Sequence, residues 1–65
     1  MKELDAVKLV EEFESLPAGT EGTIVHEYDG SAFEVEFFDK EGNTIDVITT
    51  PAKMLTLIWE YNEKD

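Results

Sequence analysis

Between Phe33 and Phe37 the chain alternates apolar and acidic side chains without a break, Phe-Glu-Val-Glu-Phe, the two-residue period of a strand with one dry and one wet face. Phe33, Val35 and Phe37 are expected to enter the core, leaving Glu34 and Glu36 in solvent. Phe38 interrupts the alternation by falling on the acidic side. It belongs either to a twist near the strand end or to an exposed patch. Upstream, Thr23 to Tyr28 is a second strand, because Thr23, Ile24 and Val25 supply the β-branched side chains that suit a pleated surface. Simple alternation would put Ile24, His26 and Tyr28 on one face and Thr23, Val25 and Glu27 on the other. Thr44 to Thr50 forms a third such run, with Ile45 and Val47 expected toward the core and Asp46 and Ile48 on the opposite side. Leu55 to Tyr61 reads as a strand in which Leu55, Leu57 and Trp59 alternate with Thr56, Ile58 and Glu60. The segment before these strands is mixed, since Leu4 and Val7 have helical spacing whereas Val7 and Leu9 alternate with Lys8. A short strand over Ala6 to Val10 is the preferred reading.

Turn chemistry separates the runs. Glu11 to Ser15 reads as a polar loop with one aromatic, Phe13, closed by Leu16-Pro17. Pro17 sets a corner, and Gly19 and Gly22 supply positions where φ is positive or another backbone comes close. Asp29-Gly30-Ser31 and Asp39-Lys-Glu-Gly-Asn43 are hairpin connections, with Gly42 in the left-handed position. Thr50-Pro51-Ala52-Lys53 resembles a helix start, a capping hydroxyl before proline, with room for a single turn. Residues 62–65 are expected to fray.

Sixty-five residues make one domain, and a chain this short buries only roughly 60% of the surface that its unfolded form exposes. No cysteine is present to supply a disulfide. The longest apolar stretch is three residues, and Met1-Lys-Glu-Leu-Asp5 lacks the pattern of an export signal, so a cytoplasmic protein without membrane association is expected. Sixteen acids against five lysines give a formal charge of −11. Nucleic-acid binding draws its affinity from cations that neutralise phosphates, so a nucleic-acid partner is excluded. A basic protein partner is favoured instead.

The residues offer no catalytic or cofactor chemistry. His26 is the only histidine, and its neighbours Glu27, Tyr28 and Asp29 form no acid-base pair that spacing alone defines. Ser15 and Ser31 lie in turns without a nucleophile elbow. One histidine and no cysteine argue against zinc, and Asp39 to Asn43 lacks the helix-loop-helix spacing of a calcium loop. The Gly19 to Gly22 loop enters a strand with Glu21 in its middle, unlike a phosphate cradle. No catalytic, cofactor or metal residues are therefore expected. The aromatic excess is the better lead. Phe13, Phe38, Trp59 and Tyr61 cannot all be buried in so small a domain, and exposed aromatics mark interfaces. Phe38, Trp59 and Tyr61, with Glu34 and Glu36, are the expected partner-binding residues.

Five short strands, tight turns and one helical turn before the last strand resemble an all-β, SH3-like five-stranded antiparallel barrel. More closely, Leu16-Pro-x-Gly-x-x-Gly-Thr-Ile-Val25, Phe33 to Phe37, Asp39-Lys-Glu-Gly-Asn-Thr44 and Thr49-x-Pro-Ala-x-x-Leu55 resemble a bacterial family of very short domains of unknown function. The resemblance runs from about Leu4 to Leu57, and the chain departs from it in the aromatic Ile58-Trp-Glu-Tyr61. Some members of that family are encoded beside toxin-like genes. The resemblance thus implies a non-enzymatic antitoxin or immunity-type protein that binds a basic, toxin-like partner. A homodimer or other homo-oligomeric accessory module, paired through Leu55 to Tyr61, is the alternative.

Overall fold

The structure, a computed structural model, describes residues 1–62. Five strands are present: β1 (Ala6–Leu9), β2 (Glu21–Glu27), β3 (Ala32–Phe38), β4 (Thr44–Pro51) and β5 (Leu55–Trp59). A single 3₁₀ turn over Ala52–Met54 precedes β5. All neighbours are antiparallel, in one sheet of order β4-β3-β2-β1-β5. Strand existence follows the sequence pattern closely, and the fraying expected over residues 63–65 lies outside the described residues.

The core is built from Val7 and Leu9 of β1, Ile24 of β2, Phe33, Val35 and Phe37 of β3, and Leu16, Met54 and Leu55. β3 supplies the three-residue apolar row that its alternation predicts. Phe13 packs against this core from the loop after β1. That loop is itself a two-residue turn, since Phe13 and Leu16 exchange backbone hydrogen bonds of 2.9 and 2.8 Å. Glu14 and Ser15 between them have φ of 52° and 71°, as a type I′ turn requires.

Pro17 opens the following turn rather than occupying its corner. Thr20 donates its amide to the Pro17 carbonyl at 3.2 Å, which puts Gly19 at the third position with φ of 90°. Gly22 serves the other purpose that the sequence leaves open. A Cβ at this position would lie 2.7 Å from both the Glu36 carbonyl oxygen and Val35 Cγ1. β2 and β3 can approach this closely only because the side chain is missing.

Register overturns three of the expected face assignments. Residues opposite one another in an antiparallel ladder share a face. Val35 faces Ile48 and Phe33 faces Thr50, so the inward residues of β4 are Ile48 and the fully buried Thr50. Ile45 and Val47, expected inside, are exposed. In β2 the register shifts between Ile24 and His26. The extra residue of this bulge reverses the alternation, so Ile24 is buried while His26, opposite Glu34, is outside. β5 has an equivalent shift against β1 between Ala6 and Val7, which pairs Trp59 with Ala6 and takes it off the face of Leu55 and Leu57.

The Thr50 cap is also corrected. Its hydroxyl donates to the Ile48 carbonyl at 3.0 Å, Pro51 is the residue that precedes the 3₁₀ turn, and no side chain caps that turn. A hydroxyl buried at this position needs an acceptor, and the nearest strand carbonyl provides it.

The two chain ends are tied by one carboxylate. Asp5 is only 1% exposed and receives three hydrogen bonds: Lys2 Nζ at 2.9 Å and the Tyr61 amide at 2.8 Å on Oδ1, and the Lys2 amide at 3.0 Å on Oδ2. Burial pushes its carboxyl up, but the Lys2 and Tyr61 donors together outweigh burial and hold it below its ordinary value of 3.8. A folded-state value below the unfolded one means that this contribution to stability is complete above pH 3.8 and fades as the pH falls through the folded value. Asn can offer oxygen to only one of the two donor sets. Asp5→Asn should therefore cost about 1–3 kcal/mol at neutral pH, and the gap to the wild type should shrink below about pH 4. Urea melts of both proteins at neutral and acid pH test this. A gap that stays constant with pH would show that the carboxylate charge is not what binds the two ends.

Candidate functional site

The outward faces of β2 and β3 carry a row of acids. Glu21, Glu36 and Glu34 lie on this side, opposite Phe38, Thr23 and His26 respectively. Two threonines of β4 hold the β3 carboxylates in place. Thr44 Oγ1 donates to Glu36 Oε2 at 2.6 Å, and Thr49 Oγ1 donates to Glu34 Oε1 at 2.5 Å. Tyr28 adds a longer bond to the same Glu34 oxygen, 3.3 Å. Glu34 and Glu36 are half-buried, and each carboxylate accepts a threonine hydroxyl from the neighbouring strand. Val47 pairs opposite Glu36, and its exposed apolar surface borders the acidic row.

At the end of this row, Phe38 is half-buried. It lines an open groove of about 750 Å³ between the Pro17–Glu21 turn and the β3–β4 hairpin, together with Ile45, Asp39 and Lys40. The register slips between Phe37 and Phe38 against β4, so Phe38 lies at an irregularity near the strand end. Asp39 shapes the hairpin by accepting the Glu41 and Asn43 amides, both at 2.9 Å, and its carboxyl lies below the ordinary range chiefly because of the Asn43 amide.

Trp59 and Tyr61 stand apart from this surface. They belong to the other end of the sheet, with β2 and β1 between them and β3. Trp59 is 57% exposed, and its ring meets that of Tyr61 edge-on with centroids 6.0 Å apart. The five expected partner-binding residues thus form two groups, Glu34, Glu36 and Phe38 on one surface and Trp59 with Tyr61 on another. Sequence reasoning missed Ile45 and Val47 as surface residues because alternation alone does not reveal which side of an isolated strand is buried.

His26 lies on the exposed side of β2 beside Glu3 and Tyr28. Its Nδ1 is 3.6 Å from Glu3 Oε2 with both side chains more than half exposed, and its ring meets Tyr28 edge-on at 4.8 Å. A solvent-exposed contact of this kind contributes little. Among the described residues no cluster of three or more His, Asp or Glu is placed to hold a metal ion, and no helix is long and apolar enough to cross a membrane.

A five-stranded antiparallel sheet of this order, with a single 3₁₀ turn before the last strand, defines a small SH3-like barrel whose outward face is acidic. The chain belongs to the family Domain of unknown function (DUF4926), whose model matches residues 3–57. No curated protein and no solved structure matches it.

Proposed function

We propose that this chain is a non-enzymatic protein-binding module, of antitoxin or immunity type, that docks a basic protein on the outward face of β2, β3 and β4. The observation that carries this reading is the oriented acidic row Glu21, Glu36 and Glu34 beside the exposed apolar side chains Ile45 and Val47. Acids of this density accelerate encounter with a cationic surface, and apolar contact slows release. The resemblance of the sequence to proteins encoded beside toxin-like genes suggests that the partner is toxin-like. A cytoplasmic location is inferred from the cysteine-free, acidic chain.

Affinity capture with the wild type and with a Glu34→Gln/Glu36→Gln variant tests the proposal. Glutamine keeps the size of each side chain and removes its charge. The wild type should retain a basic protein, and the variant should bind it roughly tenfold more weakly, with a reduced dependence on salt. Equal retention by the two baits would remove the acidic face from the interaction. A partner that spans both surfaces also meets the exposed Trp59, so Trp59→Ala should weaken its binding more than it lowers stability. With the indole more than half exposed, the stability loss should be within about 1 kcal/mol; equal losses in both would make Trp59 a structural residue.

A further inference from the structure

The sheet ends at β5, which pairs with β1 on one side and with no strand among the described residues on the other. Open edges in globular proteins are guarded by lysine, proline or an inward charge. β5 has no lysine, proline or charge, and only the register shift beside Trp59 interrupts it. Leu-Thr-Leu-Ile-Trp is uncharged in a chain that carries 16 acids, and Leu57, Ile58 and Trp59 are 43, 41 and 57% exposed. A last strand normally frays, yet this one is held past its end. The Tyr61 amide is bound by the buried Asp5 at 2.8 Å, and its carbonyl accepts from Lys2 Nζ at 2.9 Å. The edge is extended before any partner arrives, so little ordering entropy is lost when another strand pairs with it.

We propose that the free edge of β5 accepts an extended strand of the basic partner, with Leu57 and Trp59 as anchors for its side chains. This rests on the reading of the chain as a binder of a basic protein, and adds where and in what conformation part of that protein is held. Charge selects the occupant. Glu3 and Glu27 line a groove of about 570 Å³ with Tyr61 and Lys2, and Glu60 follows the strand directly. Lys2 is already paired with Asp5 and Glu60, and the other lysines by the strand, Lys8 opposite Thr56 and Lys53 in the 3₁₀ turn, are outweighed by the acidic balance of the chain. A second copy of this chain would bring a formal charge of −11 against another −11. A cationic strand gains the same main-chain bonds with attraction in place of repulsion.

The test is a titration of ¹⁵N-labelled chain with an acetylated and amidated peptide that alternates lysine and valine, Lys-Val-Lys-Val-Lys-Val-Lys, followed by NMR. The amides of Leu57 to Trp59 and the Trp59 indole N–H should shift, and the edge amides should exchange more slowly with solvent. The same peptide methylated on its valine nitrogens cannot donate those main-chain bonds and should bind roughly tenfold or more weakly. Shifts confined to Thr23, Glu34, Glu36 and Val47, with equal affinity for both peptides, would overturn strand addition and leave the acidic docking face standing. Absence of any shift at about 1 mM peptide would overturn both readings. Sedimentation of the chain alone completes the test. A monomer in about 1 M NaCl, where repulsion is screened, supports the proposal, and a dimer with protected β5 amides would make the occupant a second copy and overturn it.

Discussion

Gly22→Ala is expected to destabilise the protein by about 1–3 kcal/mol or more, although it adds a single methyl group. That methyl would sit 2.7 Å from the Glu36 carbonyl oxygen, 2.7 Å from Val35 Cγ1 and 3.1 Å from Phe37 Cδ1. Two of these atoms belong to fully buried side chains and the third to strand backbone, so none can swing aside as the tip of a flexible side chain can. Relief requires β2 and β3 to separate, which breaks the ladder on which the core is assembled. Overpacking costs typically 1–3 kcal/mol and sometimes more, against a net stability of roughly 3–5 kcal/mol for a domain of this size. Gly19→Ala is the control. Its φ of 90° disfavours alanine, but nothing lies within 4 Å of the added carbon, so the loss should stay near 1–2 kcal/mol. Urea denaturation followed by circular dichroism ranks the two. If Gly19→Ala were the more damaging, the close approach of β2 and β3 would not be what Gly22 provides.

Phe37→Ala should have a comparable or larger effect. Phe37 is the largest fully buried side chain among the described residues, lying opposite Gly22 on one side and the Asp46 position on the other. Truncating a buried phenylalanine costs about 3–5 kcal/mol, because the lost transfer energy is joined by the cavity that a stiff sheet cannot close. With so few core residues to redistribute, the variant should lack a cooperative transition at 25 °C. Phe37→Leu keeps much of the volume and should still fold, with a lower midpoint. Phe38→Ala should cost far less, since Phe38 is half-buried at the groove. Thermal melts of the three variants decide this. A cooperative Phe37→Ala protein close to wild-type stability would mean that the core is held mainly by β1, β2 and the 3₁₀ turn.

The candidate site was legible in proportion to how local its determinants are. Glu34 and Glu36 could be placed outside from sequence because Phe33, Val35 and Phe37 mark the buried side of the same strand. Phe38 could be placed at a strand end for the same reason. The hydroxyls of Thr44 and Thr49 that orient the two glutamates come from β4 and were invisible, as was the apolar border formed by Ile45 and Val47. Composition shows only that the aromatics cannot all be buried, and nothing local reveals that two strands separate Trp59 from Phe38.

The amino-acid sequence by itself determined that the protein is a small all-β domain, where its turns fall, which strand forms the centre of the core, and that its surface is strongly acidic. Those properties depend on alternation, turn residues and composition, all readable within a few positions along the chain. Tertiary structure decided which face of β2, β4 and β5 is buried, because each depends on register against a neighbour and two of them on a β-bulge that adds one residue and reverses every side chain beyond it. It also decided the difference between the two glycines, one needed for its φ and the other for the strand that crosses it. The same is true of Asp5, an ordinary acid in sequence, which becomes the tie between the two ends only because residues 2 and 61 are brought to it.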